Sequence, residues 1–152
     1  MALSLNIRLR SADILSMAAV QVAEEEIRVG QAVVIEGESP SQPFVAVFED
    51  DGETGYFYAL DSTRGAETQI VDAVHIYDVE GVTDRHMFPS TIQIVWSRDG
   101  HSAALLINDY PHAIFDFTAR RGYCRTGFPP SANGEWSSQG HDWDDAALEL
   151  FK

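Results

Sequence analysis

From residue 31 onward, apolar residues recur in the short runs and alternating positions that are typical of β-strands. The clearest series is TIQIVWS, HSAALLIN and HAIFDFT, whose members are separated by the turn-like sequences RDG and DYP. In the first of them Ile92, Ile94 and Trp96 occupy alternate positions. This pattern predicts a three-stranded antiparallel meander with one face buried.

A second pair of apolar runs, PFVAVFED and TGYFYALD, flanks Asp51 and Gly52. Asp-Gly between two apolar runs predicts a β-hairpin, and a type I′ turn needs a positive φ at both central residues. Both arms are apolar at successive positions, so we expect this hairpin to lie centrally in its sheet and to be covered on each face. Further strands are predicted for QAVVIEG, IVDAVHIYDV and GYCRTGFPP, although the second of these also fits one face of a helix.

The two ends of the chain predict helices. An amphipathic helix would begin at Ser11 as N-cap and end in three glutamates that oppose the helix dipole. At the other end, DWDDAALELF predicts a helix with Asp142 as N-cap. The expected fold class is therefore α+β: one domain with a largely antiparallel sheet, a hairpin plus a three-stranded meander, and one helix at each end.

Residues 1–28 are interpreted as an N-terminal extension carrying the first helix, and residues 29–152 as the single domain. Met17 is an alternative to Met1 as the start of the chain. The stretch ILSMAAVQVA follows Arg8 and Arg10, but it is too weakly apolar for a signal peptide.

Charge sets the expected partners. The 152 residues include 24 acidic and 10 basic side chains, a net charge of −14. A field of this sign repels phosphate backbones and anionic lipids, so neither nucleic acid nor membrane is expected, whereas a basic protein would be attracted. One cysteine and no apolar stretch of membrane-spanning length indicate a reducing, cytoplasmic location.

The most acidic stretch holds Glu49, Asp50, Asp51 and Glu53. We interpret it as the hairpin turn and as the candidate partner-binding surface. It lacks the alternating oxygen ligands and distal glutamate of an EF-hand loop, so we expect no metal there.

Cys124, Trp136, His141 and Trp143 form a weaker candidate for a ligand-binding groove. Arginines beside Cys124 favour a thiolate, but the cysteine-to-arginine spacing of a phosphatase loop is missing. The two tryptophans also fit a simpler role, in which they attach the C-terminal helix to the sheet. The sequence contains no G-x-S-x-G elbow, Walker loop or G-x-G-x-x-G motif, so we assign no catalytic residue and no cofactor.

The strings FEDDGETGYFYALD, DAVHIYDV, IVWSRDG, ALLINDYPHAIFDF and RRGYCRTGFPP, with a final tryptophan and HDW, together resemble a bacterial family of small acidic proteins known as a domain of unknown function. The likeness covers residues 29–151. It implies a bacterial single-domain protein and carries over no catalytic residue.

Three functions follow from these observations. The first is a non-enzymatic module that binds a basic protein; an inhibitor of the immunity type is one form, by analogy of size and charge alone. The second is a small hydrolase or ligand-binding enzyme, which requires Cys124, His101, His112 or His141 to meet in pairs beside an acid. The third is a subunit of a homo-oligomer joined through a sheet edge.

Overall fold

A computed structural model describes residues 19–83, 87–130 and 134–152 of the chain. These residues form an almost entirely β structure. Its strands are β1 (Ala19–Ile27), β2 (Val33–Glu38), β3 (Phe44–Asp50), β4 (Thr54–Asp61), β5 (Ile70–Asp78), β6 (Ser90–Ser97), β7 (Ser102–Ile107), β8 (Tyr110–Asp116) and β9 (Arg121–Cys124). Short 3₁₀ segments occupy Ala66–Thr68, Val79–Gly81 and Asp145–Phe151.

The strands form two antiparallel sheets. The first has the order β1-β6-β7-β8-β9 and the second the order β2-β3-β4-β5. The predicted meander is confirmed as β6, β7 and β8. The predicted hairpin is confirmed as β3 and β4, which occupy the centre of the four-stranded sheet.

The two sheets pack face to face around one apolar core, which is built from the inward side of each strand. Phe57 of β4 stacks on Phe115 of β8 with ring centroids 4.9 Å apart, and both rings are fully buried. Burying a phenylalanine side chain contributes about 1.5–3 kcal/mol, so pairs of this kind hold the sheets together. The opposite face of the five-stranded sheet is covered by the C-terminal 3₁₀ helix through Ala147 and Phe151.

The predicted α+β class with terminal helices is wrong, because the described residues form two antiparallel sheets with only short 3₁₀ segments. At the N-terminal end, Ala19–Ile27 is the edge strand β1, paired with β6 from Ala19↔Ser97 to Ile27↔Ser90. Pairing with β6 provides hydrogen-bond partners for the backbone of β1. Its three glutamates would oppose the dipole of a helix, but on an edge strand they reach solvent. The start of the predicted helix, including Ser11, lies outside the described residues.

The C-terminal helix is also shorter than predicted. It is a 3₁₀ helix at Asp145–Phe151, and its N-cap is Asp144 rather than Asp142, since the Asp144 side chain accepts a hydrogen bond from the Ala146 backbone N at 2.9 Å. Its stability comes from Ala147 and Phe151 packing on the sheet, which a seven-residue segment needs because short helices are marginal alone.

The β3–β4 turn does not have the type I′ geometry that the sequence predicted, whereas the β7–β8 turn has the two positive φ values of that type. Gly52 has φ of +96°, but Asp51 does not share the positive φ of a type I′ turn. Two positive φ values occur instead at Asn108 and Asp109, which join β7 to β8. Asparagine and aspartate tolerate this conformation because their short polar side chains bond locally.

Candidate functional site

The β3–β4 hairpin was expected to be covered on both faces, and that expectation is wrong among the described residues. The side turned away from the core belongs to no buried cluster formed by the described chain. We call this side the outer sheet face. Its members are Val34, Glu36, Glu38, Val45, Val47, Glu49, Tyr56, Tyr58, Leu60, Ala73 and His75.

Strand register orders these side chains into rows across the sheet. One row runs Val34, Glu49, Tyr56, His75, because each is the direct partner of the next. Val47 and Tyr58 are partners in the adjacent row. Directly opposite residues of a sheet lie on one face, so the rows form a continuous surface.

Aromatic rings fill the centre of the outer sheet face. The rings of Tyr56 and Tyr58 lie nearly parallel, 6.0 Å apart, and Tyr56 meets His75 edge-on at 5.5 Å. Phe128, from the loop after β9, meets His75 edge-on at 5.9 Å and is itself 50% exposed. An aromatic surface of this extent provides the contacts that dominate protein interfaces.

Carboxylates surround these rings. The Tyr58 hydroxyl donates to Glu49 Oε1 at 3.2 Å. Partial burial, together with the Glu49 carboxylate, raises the pKa of Tyr58 to about 12. Glu36 and Glu38 are exposed along β2, and no lysine or arginine occurs in any of the strands β2 to β5. The three glutamates of the outer sheet face are therefore not balanced by a lysine or arginine of these strands.

Asp50 is separated from the other acids of the predicted partner-binding set. It is 1% exposed and points to the core side of β3. Its Oδ2 accepts hydrogen bonds from the Gly30 backbone N and the Tyr77 hydroxyl, both at 2.7 Å, and its Oδ1 accepts from the Gly52 backbone N at 2.8 Å. Burial and this hydrogen bond to Asp50 raise the pKa of Tyr77. Asp50 thus joins the β1–β2 turn, the hairpin and β5, and is not available to a partner.

The remaining acids of that set stay at the surface. Asp51 Oδ1 accepts from the backbone N of Glu53 and of Thr54, and these bonds lower the pKa of Asp51. Glu53 is exposed at the tip, and Glu49 lies on the outer sheet face. Their binding of a partner stays a prediction, and Glu49 lies beside the aromatic rings, where it accepts from the Tyr58 hydroxyl.

The four members of the predicted groove lie in different surroundings. Cys124 is fully buried, with its sulfur near Thr126 Oγ1 and the Phe128 carbonyl. Trp136 packs edge-on against Phe117 at 5.2 Å, whereas Trp143 packs on the opposite surface of the five-stranded sheet, where the Arg125 guanidinium lies 3.8 Å above its ring. No common groove joins these described side chains.

The fourth member, His141, belongs to a buried network that sequence reasoning did not detect. His141 is 2% exposed, and its Nε2 lies 2.9 Å from Asp72 Oδ1. Asp72 Oδ2 accepts from the Ser137 hydroxyl at 2.6 Å, and the Gly122 backbone N donates to Ser137 Oγ at 2.8 Å. The network joins β5, β9 and the segment before the C-terminal helix.

Both ring nitrogens of His141 face acceptors, since Nδ1 lies against the Pro129 carbonyl. Burial by itself lowers the pKa of His141, but the bonds to Asp72 and to the Pro129 carbonyl outweigh it, so the pKa is raised. A doubly protonated ring satisfies every partner in the network. When the ring is doubly protonated, the arrangement is a buried ion pair.

Serine, histidine and aspartate in contact invite comparison with a hydrolytic triad, but the connections differ. In a triad the serine hydroxyl donates to histidine, which must accept its proton. Here Ser137 donates to Asp72, and both nitrogens of His141 are engaged as donors. Within this network His141 does not accept a proton from Ser137, so the arrangement is not that of a Ser-His-Asp triad.

The remaining histidines of the hydrolase hypothesis bond elsewhere. His101 Nδ1 lies 3.0 Å from the Asp99 carbonyl, and His112 Nδ1 lies 2.8 Å from the Tyr110 carbonyl. Burial lowers the pKa of His112. The geometry therefore adds no support to a cysteine–histidine cleft.

Neither a cluster of metal-binding side chains nor a membrane-spanning helix occurs among the described residues. His, Cys, Asp and Glu side chains within residues 19–83, 87–130 and 134–152 do not gather in groups of three or more that would hold a metal ion. Over the same ranges, none of the helices has the length and apolar character needed to cross a lipid bilayer.

Comparison with known proteins places the chain in a family. Residues 27–152 match the model of the family described as "Uncharacterized protein conserved in bacteria (DUF2251)". The chain belongs to this family. The resemblance read from its motifs is thereby confirmed, and the DUF2251 match includes both sheets from the end of β1 onward.

One relative is a Haemophilus influenzae protein with the name "Uncharacterized protein", 44% identical over 97 residues. The match covers 63% of this chain and 59% of that relative's length. No solved structure matches the chain.

Proposed function

We propose that this DUF2251 protein is a non-enzymatic binding module that engages a basic protein through the outer sheet face. The observation that carries the proposal is the composition of that face: tyrosine rings at its centre, glutamates around them and no lysine or arginine in its four strands. An inhibitor of the immunity type, which covers a basic target, would use a surface of this kind.

Three physical effects favour such a partner. Tyrosine contributes a large rigid contact area and is enriched among the residues that dominate interface energy. The glutamates complement lysine and arginine, which speeds association at low ionic strength. An arginine or lysine that reaches the rings of Tyr56 and Tyr58 also gains a cation–π contact.

Site-specific photo-crosslinking in the source bacterium tests the location. A photoreactive residue at Val34, which is 55% exposed on the outer sheet face, is expected to capture one basic protein. The same residue at Leu150, which is 36% exposed on the C-terminal 3₁₀ helix, is the control. Equal capture from both positions, or none from Val34, contradicts the proposal.

Charge reversal then tests the mechanism with the captured protein in pure form. Glu36→Lys with Glu38→Lys is expected to slow association at least about tenfold at low salt and less at high salt. The matched control is Glu24→Lys with Glu26→Lys. It makes the same change in net charge on β1, where Glu24 and Glu26 pair with Gln93 and Thr91 on the far side of the other sheet. If both double variants slow association equally, long-range charge rather than this face directs binding.

A further inference from the structure

A second surface lies at the end of the sandwich remote from the β3–β4 hairpin, where β3 begins and β4 ends. Two adjoining clefts open there, of about 350 and about 390 Å³. They share Arg64, Val71, Glu135 and Trp136 as lining residues. Volumes of roughly 300–1,000 Å³ are typical of small-molecule sites.

The floor of the first cleft is aromatic. Phe44 and Phe117 stack with centroids 4.3 Å apart, and Trp136 stands edge-on to Phe117. Trp136 is half-buried, so part of its indole ring lines both clefts rather than the core. A flat apolar group can stack there at little conformational cost.

The charged groups around this floor are not equally engaged. The Arg120 guanidinium pairs with Glu135 at 3.3 Å, and Asp61 Oδ1 accepts bonds from the backbone N and the hydroxyl of Thr63. Arg64 is exposed at the edge of the cleft, and its guanidinium pairs with no carboxylate among the described residues. Among the described lining residues, Arg64 is therefore a cation without a carboxylate partner beside the apolar floor.

We propose that the first cleft binds a small organic anion with a flat apolar body, of the aromatic carboxylate class. The ring stacks on Trp136 above Phe117, and the carboxylate pairs with Arg64. In a protein of net charge −14 an anion is held only where a particular cation receives it. The first cleft is lined by two arginines and two carboxylates, whereas the second has Arg64 against Glu67, Asp72 and Glu135. The anionic group therefore belongs in the first cleft, next to Arg64.

The test uses 2-naphthoate as probe and uncharged 2-naphthamide as its isostere, with binding measured by ligand-detected NMR. We expect the wild-type protein to prefer the carboxylate by at least about fivefold, which corresponds to roughly 1 kcal/mol. Arg64→Gln is expected to abolish this preference while leaving the amide affinity unchanged. Lys152→Gln removes the same charge from an exposed position at the end of the C-terminal helix, and this variant is expected to keep the preference for the carboxylate.

Trp136→Leu is expected to weaken both probes, because it removes the stacking surface. If that variant does not fold, Arg64→Gln alone decides the question. Equal affinity of the two probes for the wild-type protein, no detectable binding of either, or equal behaviour of Arg64→Gln and Lys152→Gln overturns the proposal. The outer sheet face takes no part in this experiment, so its outcome is independent of the proposed protein partner.

Discussion

Replacing Asp50 by alanine tests whether this acid is structural. The substitution removes the acceptor of three hydrogen bonds and leaves two backbone N–H groups and the Tyr77 hydroxyl without their partner. Hydrogen bonds to a charged group contribute about 1.5–3 kcal/mol each, and the contributions of one network do not add fully. Alanine also relieves the burial of a charge, so we expect a net loss of about 3–5 kcal/mol in the free energy of unfolding.

Urea and thermal denaturation measure this loss. For a chain of this size each kcal/mol lowers Tm by about 2–4 °C, so Asp50→Ala is expected to melt roughly 6–20 °C below the wild-type protein. Asp50→Asn keeps one carbonyl acceptor, so its Tm should lie between those of Asp50→Ala and the wild-type protein. Glu53→Ala, an exposed acid of the same hairpin, is the control and should leave Tm unchanged. If Asp50→Ala and Glu53→Ala melt together, the network does not stabilise the fold.

Three further predictions concern titration and packing. The raised pKa of His141 means that its ion pair stabilises the fold fully below about pH 6.5 and that this contribution is lost as pH rises through the folded pKa. Stability should therefore fall as pH rises above about 6.5, and His141→Gln should remove that slope in urea denaturation. A Cβ at Gly122 would lie 2.6 Å from Asp72 Oδ2, so Gly122→Ala should lower the free energy of unfolding by about 1–3 kcal/mol, whereas Gly81→Ala, with open space, should not. The phenol of Tyr58 should titrate near pH 12 in ultraviolet absorbance, and Tyr58→Phe should remove that component; titration near pH 10 would contradict its placement beside a carboxylate.

Alternation of apolar residues located most strands, because the side-chain period of a half-buried strand is visible in the sequence. The same rule failed for the outer sheet face. Tyr56, Tyr58 and their valine neighbours are apolar enough to suggest a covering layer, and a sequence does not show whether another element supplies one. The first helix was predicted wrongly because its local pattern ignored the pairing of β1 with β6, which only tertiary structure provides.

The candidate sites show the same limit. Asp50 and Asp51 are adjacent in sequence, yet one is buried and the other is exposed, because Asp50 is the last residue of β3 and points to the core side, whereas Asp51 lies in the turn that follows. The contact between Asp72 and His141 joins residues 69 positions apart. No local sequence motif indicates a contact at that separation, so the Asp72–His141 pair can be recognised only from the three-dimensional structure.

The edge strands have a consequence for how copies of the protein behave together. On one flank, other segments of the chain occupy hydrogen-bonding groups of the edge strands β5 and β9. The His75 backbone N donates to the Phe128 carbonyl, and the Cys124 backbone N donates to the His141 carbonyl. On the other flank, the edge strands β1 and β2 carry glutamates on both sheets. Repulsion between these carboxylates opposes strand-to-strand pairing of two molecules at neutral pH. Near the isoelectric point of about 4.5 the repulsion disappears, so acidification should produce reversible aggregation from this flank.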